Sequence, residues 1–319
     1  MADRNLPKFL LLCWLGVLIF ATGVIAVVDV AYNQRTPWYS VVTLIAVAVL
    51  WLAVLLTQPV SPNSAAGASA GLPDKTVFVQ DWILWNGLAW LAAFGVVTTM
   101  ADLALTMGWI ELDFHDGLDS ISLGFDLAFI LGAFSLKNFL VLLLFLGVIP
   151  GSLIAAAQWV ALAPLADSAG RWAWYTFGGL VFGLVCFLIV NLLVYGTINT
   201  IDVACAGPLN GACFWLLIFS SLLIEVAWAI SSATWLISLG FAGALAGRFQ
   251  AKLILQKSHG ALKWMPANAF GMALGGLFAP FGGLVYGAIT SYYLRSIWFE
   301  MADAPEITIQ SDPEIQPEP

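Results

Sequence analysis

The chain carries very little charge. Of its 319 residues, 9% are Asp, Glu, Lys or Arg and 61% are apolar. Soluble domains carry about 25% charged residues, so a fully water-solvated surface is excluded. Histidine is almost missing: His115 and His259 are the only two, both in polar stretches. Paired transmembrane histidines for haem are therefore excluded, and so is a buried Ser–His nucleophile. The sequence has no Gly-x-x-x-x-Gly-Lys-Ser/Thr for phosphates and no His-Glu-x-x-His for zinc. It has no Gly-x-Ser-x-Gly with a histidine to serve it. No metal-ligand spacing occurs, so neither metal nor cofactor is expected, and an enzyme is the least supported class. The net charge is −8, and no basic footprint for nucleic acid is present. Cysteine is scarce too. Cys13 and Cys186 sit in apolar runs and read as packing residues. Cys205 and Cys213 flank the loop "CAGPLNGAC". They form a candidate disulfide only if that loop faces an oxidising compartment.

Long apolar runs are abundant. They are continuously apolar, unlike the alternating segments of about ten residues in outer-membrane barrels. A helix satisfies its backbone within one segment, as lipid demands. The fold class is therefore all-α, a polytopic transmembrane bundle of seven to nine helices. A span needs about 20 apolar residues. Clear spans are roughly 9–28, 38–57, 82–106, 138–163, 172–195, 232–255 and 264–292. Two shorter runs, 120–136 and 213–230, either cross or lie at the surface. Residues 1–57 form an N-terminal helix pair, 58–80 a flexible Ser/Ala/Gly/Pro linker, and 81–292 the main bundle. Residues 293–319 read as an acidic disordered tail. Arg4 and Lys8, and the cluster Arg248, Lys252, Lys257 and Lys263, place the N-terminus and that segment in the cytoplasm. In the seven- and nine-helix arrangements the C-terminal tail lies on the opposite side.

A pattern recurs along the chain. Gln158, Trp172, Gly179 and Gly183 return at one constant offset as Gln250, Trp264, Gly271 and Gly275. "LVYGTI" at 193–198 is echoed by "LVYGAI" at 284–289. This reads as an internal duplication, with copies at about 120–198 and 212–290. The glycine pairs, including Gly243/Gly247 and Gly283/Gly287, each present two small residues on one helix face. Helices in lipid associate through such close contacts. Gln158 and Gln250 fall near helix ends, and Trp172 and Trp264 open the next helix. Trp favours the headgroup level, so each set reads as an interfacial hairpin clamp. The repeated "Gly…Gln-Trp…Trp…Gly-x-x-x-Gly" unit resembles a group of uncharacterised bacterial, cyanobacterial-type multi-pass membrane proteins. Gln158–Trp159 matches the group's dipeptide; Gln250–Ala251 keeps only the Gln. The resemblance implies no activity.

Ionisable residues within apolar runs are candidates for an ion, proton or polar site. They are Glu225 in "LLIEVAWAI", Asp126 in the first short run, and Asp102 in "TTMADLAL". The acidic loop "WIELDFHDGLDS" reads as solvated. The leading expectation is a non-enzymatic structural, assembly or lipid-associated protein of a bacterial inner or thylakoid-type membrane. Its partners would be the bilayer and either other membrane proteins or further copies of itself. The alternative is a small transporter or channel with an inverted repeat, using Glu225 and Asp126.

Overall fold

The computed structural model describes residues 6–28, 38–57, 75–106, 143–164, 168–205, 235–253, 261–278 and 280–303, with isolated positions 140 and 233. Among them, all regular structure is helical and no strand occurs. Eight helices follow in order: α1 (Leu6–Val28), α2 (Trp38–Leu56), α3 (Lys75–Thr106), α4 (Ile149–Leu162), α5 (Ala169–Cys205), α6 (235–253), α7 (Ala261–Leu277) and α8 (Gly282–Asp303). A π-helical turn, Leu143–Val148, runs directly into α4. Three segments are long and apolar enough to cross a membrane: Lys8–Val27, Thr76–Thr99 and Ala169–Val190. Ser40–Leu56 and Leu146–Leu162 are shorter apolar helices.

Three boundaries differ from the sequence reading. Residues 75–80, assigned to the linker, are the first turns of α3. Residues 293–303, assigned to the tail, continue α8. The run 264–292, read as one span, is two helices. Residues 278–281 turn the chain back, with Phe281 N donating to Phe278 O at 2.7 Å. Gly275 then lies against Gly282, and Gly271 against Tyr286 and Thr290, so α7 and α8 are antiparallel. The apolar composition is continuous across this turn, which is why hydropathy alone runs through it. Both short runs, 120–136 and 213–230, fall outside the described residues.

Helices α3 to α8 form a ring. Gly179 and Gly183 of α5 lie against Ala246 and Ala242 of α6. Gly243 of α6 lies against the Asn268 backbone of α7, where an added Cβ would come 2.9 Å from the carbonyl carbon. Gly287 of α8 lies against Ile83 of α3, where it would come 2.9 Å from Cα. No larger side chain fits at either crossing without moving a helix. The α1–α2 hairpin packs outside this ring, against α3 and α4. Lys8 Nζ donates to the carbonyls of Leu55 (2.9 Å) and Thr57 (2.7 Å), closing the C-terminal end of α2. Trp14 Nε1 donates to Ser152 Oγ of α4 at 2.8 Å. Leu15, Val47, Leu50, Trp82, Leu153 and Leu294 all belong to one buried cluster, so this pair shares the bundle's core.

The bundle has two unlike ends. Helices α3, α5 and α7 begin where α4, α6 and α8 finish. Thr43, near the start of α2, meets Gly95, 13 positions along α3 from Trp82. At ~1.5 Å per residue this contact lies about 20 Å from the level of Trp82. The start of α1 and the finish of α2 therefore sit at the Trp82 end. Lys8, Lys75, Arg171, Arg248, Lys252, Lys263 and Arg295, all the described cations, occupy helix positions at that end. The C-terminal end of α8 lies there too, since Thr290 meets Trp82 and the helix runs on to Asp303.

Candidate functional site: a closed polar ring

Each second helix of a hairpin here opens with a Trp followed by a short polar residue one turn on. These are Trp172 and Thr176 in α5, and Trp264 and Asn268 in α7. Residues four apart share a helix face, so both side chains point inward at successive levels. The preceding helix in each case carries Gln158 or Gln250 near its C-terminal end, 14 positions before the Trp it faces. Trp172 Nε1 donates to Gln158 Oε1 at 3.0 Å, and Trp264 Nε1 to Gln250 Oε1 at 2.9 Å. An indole N–H can only donate, so each Trp fixes its Gln with the oxygen toward the indole. The amide nitrogen must then point onward.

From there a closed circuit runs in one direction. Gln158 Nε2 donates to the Tyr286 hydroxyl at 3.1 Å. That hydroxyl donates to Asn268 Oδ1 at 2.6 Å. Asn268 Nδ2 donates to Gln250 Oε1 at 3.2 Å. Gln250 Nε2 donates to Thr176 Oγ1 at 2.7 Å. Thr176 Oγ1 returns to Gln158 Oε1 at 2.6 Å. Bonds aligned head to tail in a dry interior polarise one another. Asn86 joins from α3, accepting a 3.4 Å contact from Gln158 Nε2 and donating to Trp82 O at 2.8 Å.

The α8–α3 pair repeats the spacing with different chemistry. Gly283, Gly287 and Thr290 have the intervals of Gly243, Gly247 and Gln250, and of Gly151, Ala155 and Gln158. Trp82, Asn86, Ala89 and Ala93 have the intervals of Trp172, Thr176, Gly179 and Gly183. Trp82 Nε1 donates to Thr290 Oγ1 at 2.9 Å, as the other two indoles donate to Gln. Thr290 Oγ1 in turn donates to Tyr286 O at 2.7 Å. Thr290 is too short to reach the next pair, and Tyr286, one turn earlier, makes that bond instead.

The three tryptophans meet at one level. Trp82 and Trp172 centroids are 6.5 Å apart in an edge-to-face arrangement, and Trp172 and Trp264 are 5.2 Å apart. All three side chains are fully buried, as are Gln158, Gln250, Asn86, Thr176, Asn268, Tyr286 and Thr290. Among the described residues no charged side chain is buried, and no group of His, Cys, Asp or Glu could hold a metal.

The sequence reading set Gln158, Trp172, Gln250 and Trp264 at the membrane surface. The structure puts all four in the bundle interior, with each indole bonded to an amide rather than facing headgroups. Helix α5 begins three residues before Trp172, and α7 three before Trp264, yet the ring of helices closes over both. Gly179, Gly183, Gly243, Gly247, Gly271 and Gly275 all lie at helix contacts. Glu225, Asp126 and Cys213 fall outside the described residues. Asp102 lies in the last turns of α3 and Cys205 ends α5, both far along the chain from the ring level. Trp82, Asn86, Thr176, Asn268, Tyr286 and Thr290 were not singled out by the sequence. The available signal was the recurring Trp-x-x-x-Asn/Thr. Neither a family model, nor a curated protein, nor a solved structure matches this chain.

Proposed function

We propose that this chain is a non-enzymatic membrane scaffold, a structural or lipid-associated component whose bundle is locked by a saturated polar ring. One observation carries the reading: the interior donors and acceptors around Gln158 and Gln250 are spent on one another, beneath a lid of three buried tryptophans. A transport site needs polar groups that can exchange partners with a cargo. Buried polar groups that are already paired serve to fix one arrangement of the helices. Outward-facing apolar side chains such as Phe20, Leu56, Leu193 and Ile237 suit lipid on the bundle's flanks.

In this reading the bundle arose from a repeated helix pair, and the repeat is threefold. The units are α4–α5, α6–α7 and α8–α3, the last assembled from distant parts of the chain. The basic end faces the cytoplasm, in keeping with the excess of Lys and Arg there. The start of α1 and the end of α8 then lie on the cytoplasmic side. Helix α3 leaves at the far end and the turn before α4 starts there, as α5 leaves there and α6 starts there. Impermeant thiol labelling tests this. Lys257→Cys and Gln310→Cys should react from the cytoplasmic side, Lys137→Cys and Ser231→Cys from the other.

The scaffold reading is tested by reconstituting the full chain in liposomes. Proton and cation flux should equal that of empty vesicles, while Gln158→Leu lowers the melting temperature. Flux that Gln158→Leu abolishes with no loss of stability would establish the transporter alternative instead.

A further inference from the structure

The outer seam between α5 and α6 differs from the rest of the ring. Its inner side is closed by Gly179 and Gly183 against alanines. Its outer side carries a ladder of aromatic pairs, one ring from each helix. Tyr175 stacks on Phe249 at 5.3 Å and Phe182 meets Phe241 at 6.1 Å; below them Phe187 is buried against Trp235 at 5.2 Å. Phe182 and Phe241 are each 48% exposed. The equivalent seam between α3 and α4 is covered by the α1–α2 hairpin.

Cations crown the top of this ladder. Lys252 Nζ sits 5.5 Å from the Phe249 ring centroid, a cation–π contact that holds the ammonium at the rim. Arg248 is one turn before Lys252 on α6, and Arg171 is one turn before Tyr175 on α5. All three are exposed. Neither 169–190 nor 235–253 contains an Asp or Glu, so neither stretch offers these cations a carboxylate. A phosphate meets Arg through paired N–H donors and Lys as a point charge.

We infer that the α5–α6 seam is a binding site for an anionic phospholipid. Its phosphate lies among Arg171, Arg248 and Lys252, and an acyl chain runs down the Phe182–Phe241 groove. A free phosphate accounts for the cations but not for the apolar ladder continuing below them. The inference rests on the proposed lipid-embedded scaffold, with this end at a membrane surface.

Native mass spectrometry of the full chain, released from nanodiscs of equal phosphatidylglycerol and phosphatidylcholine, reads the site directly. The wild type should retain one phosphatidylglycerol in preference to phosphatidylcholine. Each surface cation contributes about fivefold to anionic-lipid binding at low salt. The triple variant Arg171→Gln, Arg248→Gln, Lys252→Gln should therefore lose roughly 100-fold in preference. The control Lys263→Gln, Arg295→Gln, at the same end, should lose none. Millimolar inorganic phosphate should not displace the lipid. Equal loss in both variants, or no preference in the wild type, overturns the inference, as does displacement by phosphate. If the triple variant does not fold, Phe182→Ala with Phe241→Ala keeps the cations and should still weaken retention at least fivefold. A failed scaffold reading would show separately, as flux in the liposome assay, and leaves the retention measurement intact.

Discussion

The two Gln-bearing hairpins and the α8–α3 pair solve one problem in two ways. In α4–α5 and α6–α7 a single Gln accepts from its own Trp and donates to the preceding pair. In α8–α3 the accepting task falls to Thr290 and the donating task to Tyr286, one turn away. An amide joins both functions in one planar group, so its orientation is set once by the indole. A hydroxyl both accepts and donates, but within one short reach. The difference shows that the spacing of helices, kept by the small residues at matching intervals, is the fixed quantity. The polar groups that bridge the gap are exchangeable so long as Trp82, Trp172 and Trp264 each keep an acceptor.

Breaking the Gln side of this comparison should cost most. Gln158→Leu leaves Trp172 without an acceptor and opens the ring at Thr176 and Tyr286, an expected loss of about 3–5 kcal/mol. Thermal unfolding in a single detergent measures it. Gln250→Thr imposes the α8 solution where no Tyr stands in to help. Trp264 or Thr176 then loses its partner, at about 2–3 kcal/mol in the same assay. On the other side, Tyr286→Phe removes only the hydroxyl and should cost about 1–2 kcal/mol. The sharpest test is the smallest effect. If the three pairs are equivalent, Thr290→Gln restores the onward donor toward Asn268 and recovers about half of the Tyr286→Phe loss. No recovery in that double variant would mean that α8 only resembles the other first helices by its glycine spacing.

The sequence made the helical class and the Gln/Trp pairing legible, and for a physical reason. Apolar length marks a helix in lipid whatever its neighbours, and a constant interval between Gln and Trp survives in any biased composition. The third pair was illegible because its halves are far apart in the chain, with Thr290 following Trp82 by 208 positions. "LVYGAI" at 284–289 invited comparison with 193–198, at the later part of a second helix. The hydrogen bonds instead give 283–290 the role of a first helix. The burial of Trp172 and Trp264 was also out of reach. Trp at a helix start suits a headgroup, and only the closing of six helices around it removes that option. The turn at 278–281 was hidden by apolar residues on both sides of it.

The split pair has a consequence for how the chain is made. Helix α3 emerges from the ribosome long before α8, and its Trp82 has no acceptor until Thr290 arrives. The bundle therefore cannot reach its final pairing during synthesis of its first five helices. A chain ended before residue 286 leaves the indole of Trp82 and the carboxamide oxygen of Asn268 without the partners they have in the bundle. Completion of α8 closes a pairing whose other half was made 208 positions earlier in the chain.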